Sequence, residues 1–148
     1  MTTLFLMWEG DLDNSRLYQF DPTRRVGRIH RPLLMQMKAK ENIIKIGRHD
    51  SCEHLSYGLE SCFVQSLVSP LHATIRRIES GVFELEDHST NGTYVNYQRV
   101  NGKTVLKDGD TVCFGHLDAV FISPGDQVAP YSYDLKYSVT ITSKDDAI

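Results

Sequence analysis

Short segments of alternating apolar and polar residues recur through this chain, and turn residues separate them. From Ala73 onward the segments are ATIRRI, VFELE, TYV, KTVL and TVCF, and consecutive segments begin about ten residues apart. Glycine, asparagine and aspartate stand between them, as in Asn91-Gly92 and Asp108-Gly109-Asp110. No part of residues 67–123 has helical periodicity. This spacing predicts an all-β fold, either a sandwich or a barrel.

The rest of the chain adds further strand predictions and one irregular segment. Residues 24–40 include Pro32 and mix polar with apolar positions, which predicts an irregular insertion with a helical turn near 33–37. Additional strands are expected over 3–8, 16–20, 42–46 and 118–123.

Length and composition indicate one domain, and we expect this domain to be monomeric. The chain has 148 residues, of which 41% are apolar and 24% are charged, as in ordinary globular proteins. We expect the domain to span residues 1–123. Residues 124–148 are expected to form a C-terminal extension or linker, in which 135–142 could add one strand.

Charge and cysteine content limit the classes of partner. A formal net charge of −3 and a pI near 6.0 argue against binding nucleic acid or an anionic membrane over a large surface. Three cysteines without C-x-x-C spacing fit neither a disulfide framework nor a zinc site, so a reducing compartment is expected. No apolar run has the length of a signal-peptide core or a membrane span. A basic cluster leaves an accessory nucleic-acid contact possible at Arg24, Arg25, Arg28 and Arg31.

Three polar islands lie at predicted strand ends. They are Ile46-Gly47-Arg48, the stretch SPLHA over residues 69–73, and the stretch DHSTNG over residues 87–92. Loops at one end of a β-sandwich lie near each other, so these islands can form one surface. An arginine, several hydroxyls and an asparagine are suited to binding an oxyanion such as phosphate.

A catalytic role for these residues is less well supported by the sequence than oxyanion binding. Ser69, His72 and Asp87 could suggest a hydrolase, but no G-x-S-x-G elbow accompanies them. The six histidines have no H-x-H, H-E-x-x-H or H-x-x-x-H spacing. These residues therefore favour neither a hydrolase nor a metal-dependent enzyme.

The four motifs G-R, S-x-x-H-A, D-x-S-x-N-G-T-x-V-N and L-x-D-G-D-x-V-x-F-G occur in this order over residues 43–115. In that order they resemble the signature of the forkhead-associated (FHA) domain. The resemblance implies a β-sandwich of about eleven strands. It also implies that the loops at one end bind phosphothreonine in partner proteins, which serves to recruit or scaffold signalling or chromatin complexes. A domain of this kind is expected to catalyse no reaction and to need no metal or cofactor.

The resemblance also implies roles for individual residues. Arg48 would pair with the phosphate, Ser69 and Thr90 would contact it, and Asn91 would hydrogen-bond the peptide backbone. Three further residues would support the site: Gly47 and Gly92 as turn residues, and His72 by holding the loop of Ser69 against its neighbour.

Two departures keep an alternative open. Family members often have Arg or Asn directly after the loop serine, where this chain has Pro70, and residues 53–65 are longer than usual. The alternative is a phosphate-independent interaction module on the same sandwich. The motif details resemble the N-terminal modules of certain nuclear transcription factors, which implies a nuclear protein involved in transcription and the cell cycle; otherwise a cytoplasmic location is expected.

Overall fold

The computed structural model describes residues 2–9, 34–48, 56–59, 67–131 and 136–143. Eleven strands and one 3-10 helix, Ala119–Phe121, lie in these ranges. The strands are β1 (Thr2–Trp8), β2 (Leu34–Met37), β3 (Ile43–Arg48), β4 (Ser56–Leu59), β5 (Ala73–Glu79), β6 (Val82–Asp87), β7 (Thr93–Val95), β8 (Gln98–Arg99), β9 (Lys103–Leu106), β10 (Thr111–Phe114) and β11 (Lys136–Ser143).

The strands form two sheets, so the all-β sandwich prediction is confirmed. One sheet has the order β2-β1-β11-β10-β7-β8 and the other has the order β4-β3-β5-β6-β9. Neighbours pair antiparallel where their register is defined, except for β3 and β4, which are parallel. In β1, β2, β3, β6 and β11, alternate side chains point into the space between the sheets and contribute to the core. Representative core residues, all at most 2% exposed, are Leu4, Leu6, Ile44, Ile46, Ile75, Phe83, Leu85, Val112 and Tyr137.

Strand pairing brings the polar islands to one end of the sandwich. Ala73, the first residue of β5, is the register partner of both Ile46 on β3 and Asp87 at the end of β6. In the other sheet, Thr93 at the start of β7 pairs with Phe114 at the end of β10. Because residues 88–92 connect β6 to β7, all these strand ends lie at the same end of the molecule.

Two local predictions were wrong. Residues 118–123 do not form a strand, because the chain turns into the 3-10 helix Ala119–Phe121, with Val120 and Phe121 exposed. Residues near 33–37 do not form a helical turn: Leu34–Met37 pairs with β1 and buries Met35 and Met37 on alternate positions. The predicted strand over 16–20 and the part of the insertion before residue 34 lie outside the described residues.

The sandwich extends past the boundary predicted at residue 123. Strand β11 lies between β1 and β10 and pairs with both, so it is an interior strand of the six-stranded sheet. Tyr137 is fully buried and Val139 is 1% exposed, which makes both part of the common core. Among the described residues, no helix is long and apolar enough to cross a bilayer.

We expect a chain truncated after Ser123 to lose cooperative unfolding, because removing β11 takes away the strand that joins β1 to β10 and opens the core. Tyr137→Ala in the full chain is expected to lower the free energy of unfolding by about 3–5 kcal/mol. Chemical denaturation monitored by circular dichroism measures both effects. Thr140→Ala, at a half-buried position of the same strand, is the control and should cost clearly less; equal losses would contradict the assignment of β11 to the core.

Candidate functional site

The first side of the site is the contact between β3 and the loop of residues 67–72. Arg48 ends β3; its backbone N–H donates to the Ser69 carbonyl at 2.9 Å, and its Nε donates to the Val68 carbonyl at 3.3 Å. A Cβ on Gly47 would lie 1.9 Å from the Pro70 carbonyl oxygen. Gly47 is therefore not the turn residue that the sequence suggested. It lies within a strand, and glycine is needed there because the loop backbone packs directly on it.

His72 connects this loop to the loop of residues 87–92. Its ring is fully buried; Nδ1 lies 3.1 Å from the Ser69 backbone nitrogen and Nε2 lies 2.8 Å from the Gly92 carbonyl oxygen. Ser69 N–H donates to Nδ1, so the ring proton is on Nε2, which donates to Gly92. Burial lowers the pKa of His72 to about 4, against the opposing effect of the hydrogen bond to Gly92. The ring is thus neutral near pH 7, which this pair of bonds requires.

Asp87 organises the second loop. Its Oδ1 accepts hydrogen bonds from the Ser89 N–H at 3.1 Å, the Ser89 hydroxyl at 2.7 Å and the Thr93 hydroxyl at 2.9 Å. The Ser89 oxygen in turn accepts the Gly92 N–H at 2.8 Å. Gly92 has a φ of +87°, and a Cβ there would lie 2.6 Å from the Tyr94 hydroxyl oxygen. The carboxylate therefore fixes the loop conformation, and only glycine fits at its end.

These contacts bring together the four residues for which ligand contacts were expected. The Ser69 hydroxyl oxygen accepts the Thr90 N–H at 3.1 Å, and the Asn91 amide donates to the Leu67 carbonyl at 3.3 Å. Arg48 adjoins the same loop through its bonds to Ser69 and Val68. The hydrogen bond from the Thr90 N–H occupies a lone pair of the Ser69 hydroxyl oxygen. The Ser69 O–H can therefore still donate to another acceptor.

The side chains of this cluster are better suited to binding an anion than to catalysing a reaction. The negatively charged Asp87 binds groups of its own loop, while a guanidinium and a hydroxyl lie at the loop junction. The hydrolase reading of Ser69, His72 and Asp87 is not supported by the geometry, because His72 accepts the Ser69 backbone N–H and donates to a carbonyl. In the ranges that the structure describes, no group of three or more His, Cys, Asp or Glu side chains could hold a metal.

Two structural residues of the site were missed by sequence reasoning. Ser89 bridges Asp87 and Gly92, and the spacing of Asp87 and Ser89 is a recognisable turn signal. Arg99 donates from Nη2 to the Thr90 carbonyl at 3.3 Å and from Nη1 to the Ala119 carbonyl at 2.8 Å. No sequence pattern indicates this role for Arg99, because its partners are backbone carbonyls of two distant segments. The basic cluster at residues 24, 25, 28 and 31 lies outside the described residues.

Comparisons with known proteins identify the arrangement. The family model of the FHA domain matches residues 44–115. The serine/threonine-protein kinase cds1 of Schizosaccharomyces pombe is 33% identical over 73 residues, which are 48% of this chain and 16% of the kinase. Germ layers disorganized gldi-3 of Caenorhabditis elegans is 36% identical over 89 residues, 57% of this chain and 8% of that protein. The chain thus spans less than a fifth of the length of these curated relatives.

A solved structure supports the fold assignment. The N-terminal FHA domain of Saccharomyces cerevisiae Rad53p, in complex with a phosphothreonine peptide, superposes with a TM-score of 0.59 at 21% identity, covering 98% of each chain. At this identity the likeness concerns the sandwich itself, and it extends across both sheets.

His72 should remain neutral until the pH falls well below the usual histidine range. The pKa of His72 is about 4 in the folded protein and 6.5 in the unfolded chain, so the stability that the neutral ring contributes is fully present above pH 6.5. This contribution to the free energy of unfolding, about 3 kcal/mol in total, is lost as the pH falls from 6.5 toward about 4. Side-chain ¹⁵N NMR should find the Nε2–H tautomer at pH 7, and His72→Gln should flatten the pH dependence of unfolding. A His72 ring that titrates near 6.5 would contradict this assignment.

Gly47→Ala tests the close approach of the Pro70 loop to β3. The added methyl group meets a backbone oxygen that cannot rotate away, so we expect a loss of about 2 kcal/mol or more in unfolding free energy. Thermal or denaturant unfolding measures it. Lys45→Ala, at an exposed position of the same strand, is the control and should change stability by less than about 0.5 kcal/mol.

Proposed function

This chain belongs to the FHA domain family over residues 44–115, and on that premise we propose that it binds phosphothreonine in partner proteins. The ligand contacts are assigned to Arg48, Ser69, Thr90 and Asn91. The observation that carries the proposal is that these residues, from the end of β3 and from two separate loops, meet at one end of the sandwich.

Phosphate chemistry matches the groups that meet there. A phosphothreonine carries about −1.5 to −2 charges and three strong acceptor oxygens near pH 7. The Arg48 guanidinium supplies charge-assisted hydrogen bonds, the Ser69 hydroxyl donates its remaining hydrogen, and Thr90 adds a further phosphate contact. Asn91, at the junction of the two loops, hydrogen-bonds the peptide backbone beside the phosphothreonine. The structure of the Rad53p domain in complex with a phosphothreonine peptide supports this choice of ligand.

The loops need little rearrangement to receive the ligand. His72 joins them through two hydrogen bonds, and Asp87 holds the second loop through three. Binding therefore loses little loop entropy, which otherwise subtracts from affinity. Three or four charge-assisted hydrogen bonds, less desolvation, are consistent with a micromolar complex of about −8 kcal/mol.

In this proposal the module recruits phosphorylated partners and does not catalyse a reaction. His72 is neutral, and hydrogen bonds to the protein backbone already occupy both of its ring nitrogens, so it does not act as a general base. Pro70 provides no side-chain donor beside the peptide, but its carbonyl packs against Gly47 and positions the loop. The nuclear, transcription-related setting implied by the motif details is part of the same proposal and concerns the protein that carries this domain.

Arg48→Ala is expected to weaken binding of a phosphothreonine peptide at least about thirtyfold, because the lost charge-assisted bonds contribute about 2 kcal/mol or more. The peptide is one selected by the wild-type chain from an oriented phosphothreonine library, and fluorescence anisotropy measures its affinity. Arg48→Lys keeps the positive charge but lacks the planar guanidinium group, so it should give an intermediate loss of affinity.

Two controls separate this effect from general damage. Arg76→Ala removes an exposed arginine further along β5 and should leave the affinity unchanged. The same peptide without its phosphate should bind none of the variants measurably. Equal binding of both peptides to wild type and to Arg48→Ala would reject the proposal in favour of a phosphate-independent interaction module.

A further inference from the structure

Strands β8 and β9 are the outer strands of the two sheets on one side of the sandwich, and a groove lies between them. The chain itself covers the edge of β8, because residues 125–128 run alongside it and Gln127 bridges to Gln98. The groove has a volume of about 400 Å³, and Thr104 and Val105 of β9 line it. Within the described residues, the edge of β9 has no such cover.

The uncovered edge of β9 presents three backbone groups. Asp87 N–H donates to the Gly102 carbonyl at 2.9 Å, so these two residues are a hydrogen-bonded pair that continues the antiparallel ladder between β6 and β9. Because such pairs alternate along a ladder, the C=O of Lys103 and both the N–H and the C=O of Val105 point away from β6. No group in the described part of the chain bonds to these three. An added strand would satisfy them with main-chain hydrogen bonds.

Two lysines flank Val105 along this edge. Lys103 and Lys107 stand two residues before and after it, and alternation puts their side chains on the same exposed face as Val105. The Lys103 side chain is 58% exposed, and Val105 is 43% exposed. On the side of β6, Glu86 is the register partner of Lys103, and Glu84 Oε1 lies 4.0 Å from Lys103 Nζ. An acidic residue on the open side of Lys103 would extend this alternation of charge across the strands.

The same lysines disfavour pairing of β9 with a second copy of itself. In an antiparallel pair centred on Val105, Lys103 of one copy would stand opposite Lys107 of the other, and like charges directly opposite each other are destabilising. Asp110, a carboxylate that lines the groove, is bound to groups of its own chain, since it accepts the Lys107 N–H at 2.8 Å and the Asn96 amide at 3.0 Å. An acidic strand therefore fits this edge better than a second β9 does.

We propose that the edge of β9 binds an extended, acidic segment of a partner protein as an additional strand. A β-branched residue of the segment pairs with Val105, and Asp or Glu two residues to either side of it pairs with Lys103 and Lys107. The side chains between them point into the groove. Main-chain hydrogen bonds supply the affinity, and the two charge pairs select the segment. The segment needs no phosphate, so this inference does not depend on the function proposed above.

The test begins with display selection of unphosphorylated peptides on the wild-type chain. Selected peptides should have Asp or Glu two residues to either side of Val, Ile or Thr. In NMR experiments on ¹⁵N-labelled protein, a selected peptide should slow hydrogen exchange of the Val105 amide. Val105→Pro removes that N–H without removing a bond to β6, and should weaken binding about tenfold. Val105→Thr, which keeps the N–H and the side-chain shape, is the matched control and should bind nearly as tightly as wild type.

Charge reversal tests the choice of partner without altering the backbone. Lys103→Glu combined with Lys107→Glu should weaken binding of the selected peptide at least about tenfold, and display selection on this double variant should instead yield Lys or Arg at the same two positions. Lys45→Glu is the control, since Lys45 is exposed on the same sheet but lies on β3, away from this edge. It should keep the wild-type affinity. If Val105→Pro fails to fold, this comparison decides the matter.

Arg48→Ala separates this edge from the candidate phosphate site and should leave the affinity for the selected peptide unchanged. Loss of binding in Arg48→Ala would overturn the inference, because the acidic peptide would then occupy the anion site. Selection of no peptide, or a selected peptide that leaves exchange of the Val105 amide unchanged, would also overturn it. Self-association of wild type that Val105→Pro abolishes, measured by sedimentation, would overturn it in favour of a second copy.

Discussion

One buried imidazole joins the two loops on which the site depends. His72 accepts a hydrogen bond from the backbone of Ser69 and donates one to the backbone of Gly92, and these bonds require the neutral ring that burial favours. Without this bridge, three hydrogen bonds would still join the loops: Thr90 N–H to the Ser69 hydroxyl, the Asn91 amide to the Leu67 carbonyl, and His88 N–H to the His72 carbonyl. The candidate site is thus held together by a residue that is not among its proposed ligand contacts.

The β-sandwich holds in place the two loops that His72 joins. Strand pairing aligns Ile46, Ala73 and Asp87 at one end of the five-stranded sheet, and the loop after Asp87 crosses to the other sheet. Asp87 orders that loop with three hydrogen bonds, and the close packing of Pro70 on Gly47 orders the other. A site assembled in this way is largely formed before any ligand arrives, so the function proposed above implies that peptides differ more in dissociation rate than in association rate.

The sequence supports prediction of the fold where local pattern and tertiary structure agree. Alternation from Ala73 to Phe114 defines real strands, because one face of each strand is buried in the same core. The motif islands predict the residues that meet at the site, since sandwich loops at one end are neighbours. Residues 118–123 mislead because Val120 and Phe121 face outward, on a turn held by the side chain of Arg99. The role of Gly47 depends on a contact with Pro70, which no spacing reveals.

The pairing of the first and last described strands has a consequence for how the domain is displayed. Thr2 is the register partner of Ser143, so the polypeptide enters and leaves the sandwich side by side. Both points lie at the pole opposite the site, because β10 ends near Gly92 while β11 runs antiparallel to it toward Ser143. Any tether attached there, whether a surface, a fluorophore or a neighbouring protein segment, leaves the recognition loops facing outward.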